Sequence, residues 1–145
     1  GGVMMETDTA RELVVEAQVD NLPKVNAFVD EVVSPLMPSV KEQLQLELAV
    51  EEIFVNISNY AYGERVGQAI IKARALNSPK AVELVFQDEG KPYNPLKRAD
   101  PDPDEALEDR KMGGWGIFLV KKNVDEVTYA YEMGKNVLTI RKKIG

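Results

Sequence analysis

The sequence predicts an α/β fold: a two-layer sandwich with a mainly antiparallel mixed sheet, covered on one face by helices. Five runs alternate apolar and polar residues, and three others repeat apolar residues at helical spacing. Their order is strand, helix, helix, two strands, long acidic loop, helix, two strands, with no internal repeat. At 145 residues the chain suits a single domain over 1–145, large enough to bury a core without disulfides or metals.

Residues 1–10, which begin Gly1-Gly2, are expected to be disordered or vector-derived. From Glu12 to Leu22, Val15, Ala17 and Val19 alternate with Glu16, Gln18 and Asp20, predicting a half-buried first strand. Pro23 suits a first helical turn, and Val25, Phe28, Val29, Val32 and Val33 then recur as one face of a short helix. Ser34 to Pro38 interrupts it. Ser39 with Glu42 three residues on is a capping-box pair, opening a second helix over about Val40 to Ala61. Its stripe of Leu46, Val50, Ile53, Ile57 and Tyr60 faces the core.

Alternation returns at Ala69, Ile71, Ala73 and Ala75, and again over Ala81 to Gln87. The intervening Asn77 to Lys80 makes these two strands a hairpin. Residues 96–112 carry Pro101, Pro103 and six acidic residues between Asp100 and Asp109, the composition of a surface loop, and a loop this long in a small domain is often a lid. Ile117, Leu119, Val120 and Val124 form a third amphipathic helix. The chain closes with a hairpin: Val127, Tyr129 and Tyr131 alternate, residues 132–136 turn, and Val137 to Lys142 returns.

Composition excludes several chemistries. Without cysteine or histidine there is no disulfide framework, no thiolate or imidazole metal site, no cysteine nucleophile and no Ser-His-Asp triad. Carboxylates and amides remain for catalysis, and any metal should be hard and oxygen-liganded. A net charge of −6 argues against a nucleic-acid partner. No apolar run approaches the roughly 20 residues of a membrane span, and the start lacks a basic-then-apolar leader, so the expected location is cytoplasmic.

Three stretches carry chemical character. Glu52 and Asn56 stand four apart on one face of the second helix, where an amide oxygen and a carboxylate suit Mg²⁺ and a polarised hydroxyl. Taken alone, the pair is more often solvated helix surface. Asp88-Glu89-Gly90 follows a strand directly: Asp88 suits an exocyclic amine, and Gly90 allows either a turn or the close approach of a flat ligand. Gly113, Gly114 and Gly116 place backbone amides at a helix start, an arrangement suited to phosphate, although glycine clusters often only turn the chain. Together the three are each a partial purine-nucleotide site.

At these residues the sequence resembles the ATP-binding fold of gyrase, Hsp90, histidine kinases and MutL, the Bergerat type, and within it the anti-sigma factor serine kinases. EEIFVNISNYAY resembles the family's N box, DEGKPYNP its first glycine box and GGWGIFLVKKNVDEV its second. The resemblance implies ATP and Mg²⁺ as ligands, with 96–112 as the ATP lid. Asn56 would hold Mg²⁺ and phosphate, Glu52 would be the general base toward a serine, and Asp88 would bind the adenine amine. Gly90 and Asn94 of the DEGKPYNP string would join the nucleotide site, with Gly113, Gly114 and Gly116 closing over the phosphates. Glu51, on another face of the helix, is the control.

The same resemblance implies partners: a sigma factor, and a STAS-type anti-anti-sigma antagonist phosphorylated on serine, with homodimers usual. Two departures bear on transfer: Tyr60 stands where the branch often has histidine, and Lys111-Met112 where some members carry arginine. The alternatives are a nucleotide-dependent binding module without catalysis and a histidine-kinase catalytic fragment; the latter fits less well because no phospho-accepting histidine exists.

Overall fold

The computed structural model describes residues 10–97 and 114–145. Five strands form one sheet, β1 (Arg11–Glu16), β2 (Gln68–Asn77), β3 (Lys80–Asp88), β4 (Glu126–Glu132) and β5 (Lys135–Lys143), in the spatial order β1-β2-β3-β5-β4. Every pairing is antiparallel, so no parallel pair is present among the described residues. Three helices, α1 (Leu22–Val33), α2 (Val40–Asn56) and α3 (Gly114–Asn123), pack on the face presented by Ala69, Ile71, Leu84, Phe86 and Ile140.

That face is set by a period of two. The register pairs Ile71 with Phe86 and Phe86 with Leu138, so apolar residues from three strands line up inward. Val25, Val29, Val32 and Val33 of α1 meet them, with Leu46, Val50, Ile53 and Phe54 of α2 and Ile117 and Val120 of α3. Burying Phe54 and Phe86 completely contributes roughly 2–3 kcal/mol each. On the open face, Glu83 of β3 accepts from Arg74 of β2 at 2.9 Å and from Arg141 of β5, forming a cross-strand ion row.

Local chemistry sets the element ends. The Ser39 hydroxyl accepts from the Glu42 amide at 3.1 Å, and the Glu42 carboxylate accepts from the Ser39 amide at 2.8 Å, which closes the capping box. Both hairpins have two-residue loops, Ser78-Pro79 and Met133-Gly134, the second with both residues at positive φ as its twist requires.

Two expected elements end differently. The first strand stops at Glu16, and Val19–Asn21 is a 3-10 turn with Val19 45% exposed. The Gln18 amide bonds back to the Glu16 carbonyl and the Asn21 side chain donates to that same carbonyl, bending the chain before alternation can continue. The second helix is α-helical only to Asn56 and finishes in a π turn over Ile57–Ala61. The wider turn shifts Tyr60 off the core stripe, leaving it 40% exposed. Residues 1–9, Gly113 and most of the expected lid, 98–112, lie outside the described residues.

Candidate functional site

The last turn of α2 brings the helix's polar pair to the start of α3. Glu52 is half-buried while its neighbour Glu51 is exposed, so the helix separates the two carboxylates as its 3.6-residue period requires. Gly116, the third residue of α3, sits directly against the pair. A side chain added there would lie 2.9 Å from Glu52 Oε2 and 3.0 Å from Asn56 Nδ2. Three expected site residues thus converge, and glycine at 116 is what allows the contact. Burial, and secondarily the charge of Glu51, pushes the Glu52 carboxyl above the ordinary glutamate value.

Between α2, α3 and the sheet lies a cavity of about 370 Å³. Asn56 and Tyr60 reach it from α2 and the π turn, Ile117 and Val120 from α3, and Asp88, Tyr129 and Asn136 from the strands. It is an apolar slot with a few polar groups, of a size suited to a small ligand's ring system.

Asp88, at the end of β3, is only 7% exposed. Its Oδ1 accepts from the Gly90 amide and from Asn136 Nδ2, both at 2.9 Å. Those bonds occupy one oxygen and fix the plane of the carboxyl. Burial raises its proton affinity, against the opposing effect of the two donors.

Asn136 is one residue that sequence reasoning missed. Within a Gly-Lys-Asn string it reads as a turn residue, yet it belongs to β5, pairs with Asp88 and is only 8% exposed. Its Nδ2 also donates to the Gly90 and Lys91 carbonyls at 3.3 and 3.0 Å, while its Oδ1 accepts from the Tyr93 amide and the Tyr129 hydroxyl. One side chain therefore ties β3, β4 and the 90–93 loop around Asp88. Tyr62 was missed as well: its hydroxyl accepts from the Glu89 amide at 2.8 Å and donates to the Gln68 carbonyl, clasping the ends of β2 and β3.

The remaining expected residues divide. The close approach that Gly90 permits is that of the chain's own backbone, since a side chain there would lie 2.1 Å from the Ala61 carbonyl oxygen. The Lys91 amide donates to that same carbonyl at 3.2 Å. Asn94 is not among the residues lining the cavity; its carboxamide oxygen accepts from the Leu96 amide at 2.9 Å and starts the Pro95–Lys97 turn. Gly114 begins α3.

Among the described residues no three histidine, cysteine, aspartate or glutamate side chains gather into a metal cage. A hard cation here would rest on the Asn56 amide oxygen and on a ligand's phosphate oxygens. That donor set suits Mg²⁺, which keeps several waters and uses few protein ligands.

An antiparallel sheet layered with helices, a buried strand-end carboxylate over an apolar slot, and an Asn-bearing helix facing a glycine-headed one make up the candidate site and its surroundings. Residues 15–142 match the model of the histidine kinase-like ATPase domain, and the chain belongs to that family.

It is similar to the anti-sigma F factor of Caldanaerobacter subterraneus subsp. tengcongensis, with 27% identity over 142 residues, 97% of this chain and 98% of the relative. It is also similar to the serine-protein kinase RsbW of Staphylococcus aureus, 28% identical over 95 residues, which are 63% of this chain and 60% of that protein. Among solved structures, the fold matches that of the RsbU and RsbW domains of a Mycobacterium tuberculosis protein with a TM-score of 0.66 at 14% identity. That match covers 94% of this chain and 32% of the other. Among the described residues no helix is long and apolar enough to cross a membrane.

Proposed function

We propose that the chain binds Mg-ATP in the cavity beside Asp88 and acts as a serine protein kinase and anti-sigma factor within a partner switch. The observation that carries this reading is the meeting of Glu52 and Gly116 with Asn56, a residue that also lines the slot holding Asp88. The names of the relatives, an anti-sigma factor and a serine-protein kinase, support the same class.

In this reading the adenine amine donates to Asp88 Oδ2, the oxygen left over when Oδ1 holds Gly90 and Asn136. Gly114 and Gly116, at the start of α3, would offer backbone amides to the phosphates. Asn56 would hold Mg²⁺ through its amide oxygen, and the ion would supply charge neutralisation for phosphoryl transfer. Glu52 takes the proton of an incoming serine hydroxyl as the serine oxygen bonds to the γ-phosphorus. The bond from that phosphorus to the bridging oxygen breaks, and ADP leaves with the electron pair. Burial raises the proton affinity of Glu52, which makes it a better proton acceptor than an ordinary glutamate.

The acceptor in this proposal is a STAS-type antagonist that competes with a sigma factor for the same protein. Phosphoserine, carrying nearly two negative charges, binds a chain of net charge −6 less well, and the released kinase turns to the sigma factor. The test is transfer of label from γ-labelled ATP to a purified STAS-domain protein from the same genome. Wild-type protein should label a serine, and Glu52→Gln should not while still binding ATP. ATP binding without transfer by the wild type against every such STAS protein would leave a nucleotide-dependent binding module instead.

A further inference from the structure

Lys142 lies on the inner face of β5, 7% exposed, opposite Val82 of β3 and near enough to the Glu42 carboxylate to help lower its proton affinity. A lysine on the core face of a strand is uncommon, so where its ammonium is held is informative. Its Nζ donates to the carbonyl of Asn123, the last residue of α3, at 3.0 Å. The negative end of a helix is a suitable place for a cation, and the bond fills a carbonyl with no partner inside the helix.

Asp125 reinforces the same junction. Its amide donates to the Arg141 carbonyl at 2.9 Å, and its carboxylate accepts from the Lys143 amide at 2.7 Å. Three consecutive residues of β5 therefore hold the chain just where α3 ends. Seven residues earlier in the same helix, about 10 Å along its axis, Gly116 rests on Glu52 and Asn56. A helix this short moves as one piece, so what fixes its far end fixes the near one.

We propose that Lys142, assisted by Asp125, is a positioning residue that sets the axial placement of α3 and thereby holds Gly116 against the Glu52–Asn56 pair. The functional part of this inference rests on the nucleotide-binding reading; the mechanical part does not. Lys142 touches neither the cavity nor the pair.

The experiment compares Lys142→Met, Lys142→Arg and Asp125→Ala with wild type by amide hydrogen exchange in the nucleotide-free protein and by Mg-ATP calorimetry. In Lys142→Met, amides of Ile117 to Val120 should exchange at least tenfold faster while the amides of β2 and β3 stay within threefold of wild type. ATP affinity should fall about tenfold. Lys142→Arg, which keeps a donor for the Asn123 carbonyl, should restore both, and Asp125→Ala should fall between.

Unchanged exchange in α3, or an equal rise in helix and sheet, would overturn the inference, the latter marking a loss of general stability. Faster exchange in α3 with undiminished ATP affinity would overturn its functional part. Failure of the wild type to bind ATP would refute the nucleotide reading, and the exchange data alone would then decide the anchor.

Discussion

Replacing Asn136 by leucine keeps most of the side-chain volume and removes every hydrogen bond the carboxamide makes. The Gly90 and Lys91 carbonyls, the Tyr93 amide and the Tyr129 hydroxyl lose a partner, and Asp88 loses one of two donors. A buried polar group left unpaired costs about 1–3 kcal/mol. The groups on Lys91 and Tyr93 lie nearer the surface and can recover water, so the cost falls chiefly on Asp88 and the Gly90 carbonyl. The expected loss is about 3 kcal/mol, roughly two orders of magnitude in the folding constant.

For a domain of this size that corresponds to a fall in Tm of about 10 °C. Urea unfolding followed by far-ultraviolet circular dichroism, with equal slopes for both proteins, measures it directly. A change below about 0.5 kcal/mol, the range of ordinary surface substitutions, would refute the claim that Asn136 is the hub of the strand end.

Much of this architecture is legible in the sequence because it depends on local rules. The Ser39–Glu42 cap, the Asn77–Lys80 connection and the alternation of Ala69, Ile71 and Ala73 are all decided within a few residues, and the structure has each of them. The meeting of Glu52, Asn56 and Gly116 is different. It depends on α3 returning to α2 across some sixty residues, and only the resemblance to a known fold anticipated it.

Asn136 and Tyr62 were opaque for the same reason. Their composition signals turn and surface, while their roles come from partners 43 to 48 and 27 residues away. The π turn was hidden because one extra residue per turn leaves no mark in apolar periodicity, so Tyr60 looked like one more core position. Gly90 carried a true signal with an ambiguous cause: the need for a missing side chain is evident, but what fills the space is not.

Other perturbations follow from the same geometry. Gly90→Ala drives a methyl group to 2.1 Å from a backbone oxygen of the π turn, so it should destabilise by about 3 kcal/mol in thermal unfolding, whereas Gly63→Ala meets no atom within 4 Å and is limited to its left-handed backbone strain. Folding raises the proton affinity of Asp88, so its contribution to stability is fullest below the unfolded-chain value and is lost as pH rises through the higher folded value. Asp88→Asn keeps an acceptor for Gly90 and Asn136; it should be at least as stable as wild type at pH 8 and weaken ATP by about 10- to 100-fold, as calorimetry and urea titration would show. Glu52→Gln should lower transfer by about 10²–10⁴-fold with ATP affinity retained. In the wild type, the base form of Glu52 is lost as pH falls through its raised value, so the acidic limb of the rate profile should lie above the ordinary glutamate range.

Whether the end of α2 and the end of β3 together build a nucleotide site can be measured by titrating Mg-ATP into wild type, Asn56→Ala and Asp88→Asn in a calorimeter. One site per chain is expected in the wild type and a loss of at least tenfold in affinity in each variant, with all three proteins folded by circular dichroism. Absence of binding to the wild type, or equal affinity in all three, would contradict it.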